Sequence, residues 1–226
     1  DSISQLGIYG TSGVPDPGNT PGARWYAAPS GNASGDLWLF GGIGRNDVGS
    51  ETRWNDLWRF DSETNNWTWI KGSSNPDQFG IYGTLGISHP TNSPGARSEA
   101  ASWHNTPDKL WLFGGDGYDA FGNKRFLNDL WRYDQTTGNW TWMKGSNAIN
   151  QAGIYGVRGE SGSVNTPGSR ERAVTWTDSA GMLWLFGGYN LNGFYNDLWR
   201  YSPVTGNWTW MHGSNTTNQP GVYGTT

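Results

Sequence analysis

Leu37-Trp38-Leu39-Phe40-Gly41-Gly42 returns as Leu110–Gly115 and again as Leu183–Gly188, 73 residues apart each time. Around this stretch the same words recur in the same order. Asn55-Asp56-Leu57-Trp58-Arg59 is repeated from Asn128 and Asn196, and Asn66-Trp67-Thr68-Trp69 from Asn139 and Asn207, with spacings of 73 and then 68. Pro-Gly-(Ala/Ser)-Arg ends at Arg24, Arg97 and Arg170. Gln-x-Gly-(Ile/Val)-Tyr-Gly begins at Gln5, Gln78, Gln151 and Gln219. Self-similarity at a fixed period marks a repeat architecture, here three full repeats and the opening of a fourth.

Each repeat reads as four short strands. The first follows the arginine, as in Arg170–Trp176, and the second is Leu-Trp-Leu-Phe, ended by a glycine pair that cannot hold a strand. The third is Asn-Asp-Leu-Trp-Arg-(Phe/Tyr) and the fourth Trp-Thr-Trp-(Ile/Met), joined by turns such as Thr137-Gly138. Aromatic runs bounded by turn residues are strand signals, and no window carries a helical stripe. The fold class is all-β.

Large groups occupy both faces of the second strand, Leu37 and Leu39 on one and Trp38 and Phe40 on the other. A strand apolar on both faces belongs to a sheet packed on both sides. Twelve of the 16 tryptophans fall at positions shared by all repeats, which identifies them as core. Pro29 stands in the first strand of repeat one, and proline is tolerated at a sheet edge; that strand is therefore expected innermost, beside an axis.

Composition removes other classes. Charged residues are only 15%, against a usual ~25%, while there are 16 Trp, 10 Tyr and 8 Phe; a disordered chain has the opposite balance. Zero cysteines exclude disulfides, thiolate metal sites and cysteine nucleophiles. A net charge of −4 without a basic block speaks against nucleic acid or anionic membranes as partners, and the apolar runs are too short to span a bilayer. Asp1 in place of Met suits a processed or excised segment.

Hydrophobic-Leu-Phe-Gly-Gly, then Asn-Asp-Leu-Trp-x-(Phe/Tyr), then a strand tryptophan, three times over, resembles the Kelch repeat, the blade unit of Kelch β-propellers. The resemblance covers essentially the whole chain. It implies three four-stranded blades, at about 21–71, 94–144 and 167–212, with long ordered connections at about 72–93 and 145–166 and the start of a fourth repeat at 213–226. Two features depart from the family: the repeats exceed the ~50 residues usual for kelch, and Ala27, Ala100 and Ala173 stand where a histidine is often found. Propellers usually have ~4–8 blades, so three leave two apolar faces bare. A second copy closing a six-blade ring, further blades of a longer polypeptide, and an open filament are the three expected ways of covering them.

Strand alternation places the second-to-third-strand loops and the inter-blade connections on one face. The loops differ most between repeats: Ile43–Trp54 and Asp116–Leu127 have 12 residues and Tyr189–Tyr195 has 7. Recognition is commonly carried by loops on a rigid scaffold, so Trp25, Tyr118, Phe121, Phe194 and Tyr195 are ligand-binding candidates. Arg24, Arg97 and Arg170 admit two readings: a circle of guanidinium groups receiving an anion, or forks that fix blade spacing through a neighbouring blade's carbonyls or carboxylates, which strict repetition favours. Asp56, Asp129 and Asp197 are expected to accept backbone N–H groups around a turn.

No catalytic constellation stands out, and no metal or cofactor is expected. Kelch-like propellers include galactose oxidase, a copper enzyme with a tyrosine–cysteine cross-link, which a chain without cysteine cannot make; the three histidines, His89, His104 and His212, occupy unrelated repeat positions. Low charge, no cysteine and abundant Asn, Thr, Ser and Gly suit an extracellular or cell-surface location. The expected function is a non-catalytic binding or scaffolding module with a protein or glycan ligand. The alternatives are a self-assembling structural protein and a lectin-like propeller in which aromatic side chains stack on sugars.

Overall fold

The computed structural model describes residues 5–32 and 34–224, and among them every regular element is a β-strand. Three antiparallel sheets succeed one another along the chain, each a four-stranded meander. In the first, Ala28–Gly31, Leu37–Arg45, Glu51–Asp61 and Asn66–Lys71 pair in sequence order. The second pairs Ala101–Thr106, Lys109–Phe113, Leu130–Asp134 and Asn139–Lys144. The third pairs Val174–Thr177, Leu183–Phe186, Leu198–Ser202 and Asn207–His212. The all-β reading of the sequence holds.

The period-2 pleat sends alternate side chains to opposite faces, and the second strands use both. Trp38 and Phe40 of the first sheet join Leu110, Leu112, Tyr133 and Trp140 of the second in one apolar cluster. Trp111 and Phe113 of the second sheet join Leu183, Leu185, Tyr201 and Trp208 of the third in another. Phe40 meets Trp140 edge-on at 5.5 Å, and Phe113 meets Trp208 at 5.6 Å, the geometry that aromatic quadrupoles favour. The middle sheet therefore buries one face on its predecessor and the other on its successor.

The glycine pair that ends the second strand is part of this stacking. A Cβ on Gly41 would lie 2.5 Å from the Arg97 carbonyl oxygen of the next unit, and one on Gly114 2.6 Å from that of Arg170. Both glycines are also left-handed, with φ of 61° and 64°, a conformation that costs an L-residue energy.

The first strand does not run on from the arginine. Arg24–Trp25 and Arg97–Ser98 are separate short strands. Left-handed residues at Tyr26 and Glu99 (φ 55° and 57°) cut them from the sheet strands beginning at Ala28 and Ala101, and Arg172 takes the same conformation, at 59°, in the third unit. Pro29 sits in the edge strand, pairing with Leu39 on one side only. First strands of successive units lie side by side: Ser102 donates its hydroxyl to the Pro29 carbonyl at 2.6 Å, and Thr175 to that of Ser102 at 3.1 Å.

Both kinds of connection carry regular backbone pairing. The second-to-third-strand loops are hairpins, continuous with the sheet in Leu37–Arg45/Glu51–Asp61 and separate ribbons in Asp116–Tyr118/Lys124–Phe126 and Tyr189–Asn190/Gly193–Phe194. The long inter-unit segments fold back along the fourth strand of the following unit, through bridges Asp16↔Trp67 and His89↔Trp140 and the short strand Ser161–Gly162. They cover outer edges that would otherwise offer unpaired backbone groups.

Candidate functional site

The repeated arginines are not a ring of free cations. Arg97 donates Nη1 and Nη2 to the two carboxylate oxygens of Asp129, each at 2.7 Å, and further donates to the carbonyls of Gly95 and Gly114. Arg170 holds Asp197 at 2.6 and 2.9 Å, and Arg24 holds Asp56 at 2.7 and 2.8 Å. Side-chain exposure is 0% for Arg97 and Arg170 and 6% for Arg24. The three arginines form no anion-binding circle: each charge is neutralised inside its own unit. The forks also serve their own unit and not a neighbour's.

The aspartates receive side chains and not the expected turn N–H groups. Tyr9, Tyr82 and Tyr155 donate their hydroxyls to Asp56, Asp129 and Asp197 at 2.7–2.8 Å, and Trp58, Trp131 and Trp199 donate their indole N–H at 2.7 Å. Each tyrosine also packs edge-on against Trp69, Trp142 or Trp210 at 5.1 Å. Burial opposes the charged guanidinium of Arg97, and the Asp129 carboxylate overrides it, leaving the pKa raised. Burial and then Asp129 hold the Tyr82 hydroxyl well above its usual value. These four-residue knots are structural. Tyr223, the fourth occurrence, is 90% exposed and caps no such pair among the described residues.

The positions just after each arginine behave differently. Tyr26, Glu99 and Arg172 occupy one repeat slot, and their backbones form a run across the units: Glu99 N–H donates to the Tyr26 carbonyl at 2.8 Å and Arg172 N–H to the Glu99 carbonyl at 3.0 Å. Their side chains converge. The Arg172 guanidinium grips the Glu99 carboxylate at 2.5 and 2.8 Å and lies 5.4 Å from the Tyr26 ring centre. Left-handed non-glycine residues cost of order 1–3 kcal/mol each and cluster at functional sites.

A cavity of about 340 Å³ opens at this convergence and draws on all three hairpins as well as the three kinks. Arg53 of the first hairpin pairs with Asp116 of the second across its wall. The other oxygen of Asp116, Oδ1, is buried without a hydrogen-bond partner. Glu171, itself 8% exposed, has its pKa pushed up to about 7 by burial and then by the neighbouring Glu99, against the pull of Arg172. Three carboxylates, two arginines of the walls, Arg172 and the ring of Tyr26 thus share one polar mouth.

The loop aromatics singled out in the sequence are scattered around it. Trp25 is 42% exposed; Phe121 stands at the tip of the second hairpin and Phe194 pairs with Tyr189 in the third, each 67% exposed. Tyr118 packs on Phe79 at 5.9 Å with Lys124 over its ring. Tyr195 lies beneath the Arg170 guanidinium, 3.9 Å from ring centre to Cζ, and accepts a hydrogen bond from Asn190; it lines a second cavity, of about 560 Å³, beside Tyr155 and Asn190. None of these five lines the 340 Å³ mouth. Its own residues, Tyr26, Glu99, Glu171 and Arg172, went unnoticed in the sequence. Their signal is a slot filled by unlike residues close behind an invariable arginine.

Among the described residues no group of three His, Asp or Glu side chains is arranged to hold a metal ion.

No protein-family model and no curated protein matches the chain. The solved structure of YjhT is similar, with a TM-score of 0.57 at 15% identity over 85% of this chain. The chain spans 53% of that structure's length. A likeness this remote in sequence concerns the fold, an all-β architecture, and one fold hosts many functions.

Proposed function

We propose that the three sheets are blades of an incomplete kelch-type propeller and that the chain is a non-catalytic binding or scaffolding module acting outside the cell. The recognition surface is the mouth formed by Tyr26, Glu99, Glu171, Arg172, Arg53 and Asp116. One observation carries this reading: a single cavity collects side chains from every hairpin and every post-arginine kink, while the repeated arginines and aspartates are consumed by the Arg–Asp–Tyr–Trp knots. Side-by-side first strands support an axis, and low charge without cysteine supports the location. The mouth balances carboxylates against guanidinium groups beside an exposed tyrosine ring, which suits a polar ligand such as a glycan or peptide loop.

An array of glycans and extracellular peptides tests this with the wild type, Arg172→Ala and Tyr26→Ala, both exposed positions. The reading expects a ligand whose retention falls at least tenfold in both variants while circular dichroism shows each still folded. Retention indifferent to both substitutions, or silence of the wild type, contradicts it.

Bare apolar flanks favour a second reading, self-assembly. Leu37 is 39% exposed on the first sheet, and Val174, Trp176 and Phe186 are 61%, 42% and 43% exposed on the third.

A further inference from the structure

The two flanks are not generic apolar surface. The leading flank, on the third sheet, carries Trp184 and Phe186; their counterparts Trp38, Phe40, Trp111 and Phe113 are all 1% exposed inside the two internal interfaces. The trailing flank, on the first sheet, carries Leu37, Leu39, Phe60 and Trp67, the last three half-buried. Their counterparts in the later sheets, including Leu110, Leu183, Tyr133, Trp140 and Trp208, are at most 4% exposed. What the molecule buries twice internally it presents once, split between its ends.

Polar groups follow the same division. Asn55 and Asn128 donate across internal boundaries to the carbonyls of Pro94 and Pro167, each at 3.2 Å. Asn196 is the next donor in this series and Pro21 the first acceptor. The backbone run through Tyr26, Glu99 and Arg172 likewise ends in the Tyr26 N–H and the Arg172 carbonyl. One internal contact has no counterpart: Ser102 and Thr175 donate hydroxyls to the preceding unit, and Pro29 cannot.

Resting on the incomplete-propeller reading, we infer that the leading flank of one copy seats on the trailing flank of a second copy, and the reverse, closing a two-copy ring. Phe186 then meets Trp67 as Phe40 meets Trp140, Trp184 meets Phe60, and Asn196 donates to Pro21. Each copy contributes half of each of two identical interfaces, as a two-fold axis along the ring requires.

Native mass spectrometry and light scattering of the 24.9 kDa chain test the inference, with Phe186→Arg and Leu37→Glu as flank variants checked for folding by circular dichroism. The expected results are a species of twice the chain mass for the wild type, monomers for each variant alone, and recovered pairs when the two variants are mixed. Survival of the pair in Leu37→Glu alone would mean that leading flanks meet each other and would overturn the inference. A mass that climbs with concentration would mean an open polymer and would overturn it equally. A wild-type monomer would also overturn the two-copy ring. In that case acrylamide quenching separates the layers: accessible Trp176 and Trp184 fluorescence leaves the flanks bare and the propeller reading standing, whereas shielded indoles sink that reading too.

Discussion

Arg97 and Asp129 face each other through two parallel hydrogen bonds of 2.7 Å with both side chains fully buried. The pair ties the short strand Arg97–Ser98 to the start of the third strand, and Tyr82 and Trp131 complete the coordination of its carboxylate. Removing one partner strands the other charge away from water, at a cost of ~3–5 kcal/mol. Asp129→Ala is expected to lower stability by about that amount in urea unfolding, and Tyr82→Phe by ~1.5–3 kcal/mol, the range for a hydrogen bond to a charged group. Arg97 and Asp129 variants that unfold at the wild-type midpoint would show the knot to be dispensable.

The stacking of units is tested at a glycine. Gly114→Ala places a methyl group 2.6 Å from the Arg170 carbonyl oxygen, whereas Gly86, also left-handed at φ 78°, has nothing within 4 Å of the same position. Gly86→Ala reports the backbone term alone, ~1–2 kcal/mol. Gly114→Ala is expected to cost clearly more, because the next sheet must move. Equal losses for the two variants would mean that the boundary is loose.

Glu171 gives the mouth a pH signature. Its pKa is raised from 4.5 to about 7 in the folded chain by burial, then by Glu99. The folded state therefore holds a proton that the unfolded state has released between those values. Stability from this group is present below pH 4.5 and is lost as pH rises to about 7. Glu171→Gln is expected to gain on the wild type progressively between about pH 4.5 and 7 in thermal melts, the difference levelling off above that range. A constant difference across that range would contradict the assignment.

His104 acts in the opposite direction. Burial lowers its pKa from 6.5 to about 4, against a weaker pull from Asp36, and its Nδ1 lies 2.6 Å from the Ser30 hydroxyl of the preceding first strand. The unfolded state takes up the proton first, so stability falls as pH drops from 6.5 to about 4. His104→Gln is expected to flatten that acid limb, and an unchanged limb would place the acid sensitivity elsewhere.

Much of the fold was legible because the repeat writes each sheet three times: the strand words at Leu37, Asn55 and Asn66 needed no tertiary knowledge. What periodicity could not give was pairing between residues distant in the chain. Asp56 reads as a turn residue in its local sequence, and only the fold brings it to Arg24 and Tyr9. The hairpin nature of 43–54 was hidden because its glycines and charges look like loop composition. The mouth was missed for a related reason. Tyr26, Glu99 and Arg172 share a slot but no chemistry, and repetition draws the eye to what stays constant.

Central to the proposed function is a set of sheets that turn about an axis and leave a gap in the circle. Cryo-electron microscopy of the purified assembly tests it most directly. Axial views should show six four-stranded units around a central opening, with the Tyr26, Glu99 and Arg172 kinks gathered at one mouth. Particles in which the three sheets stack in a straight line, or stand alone with both flanks covered by their own chain, would contradict it.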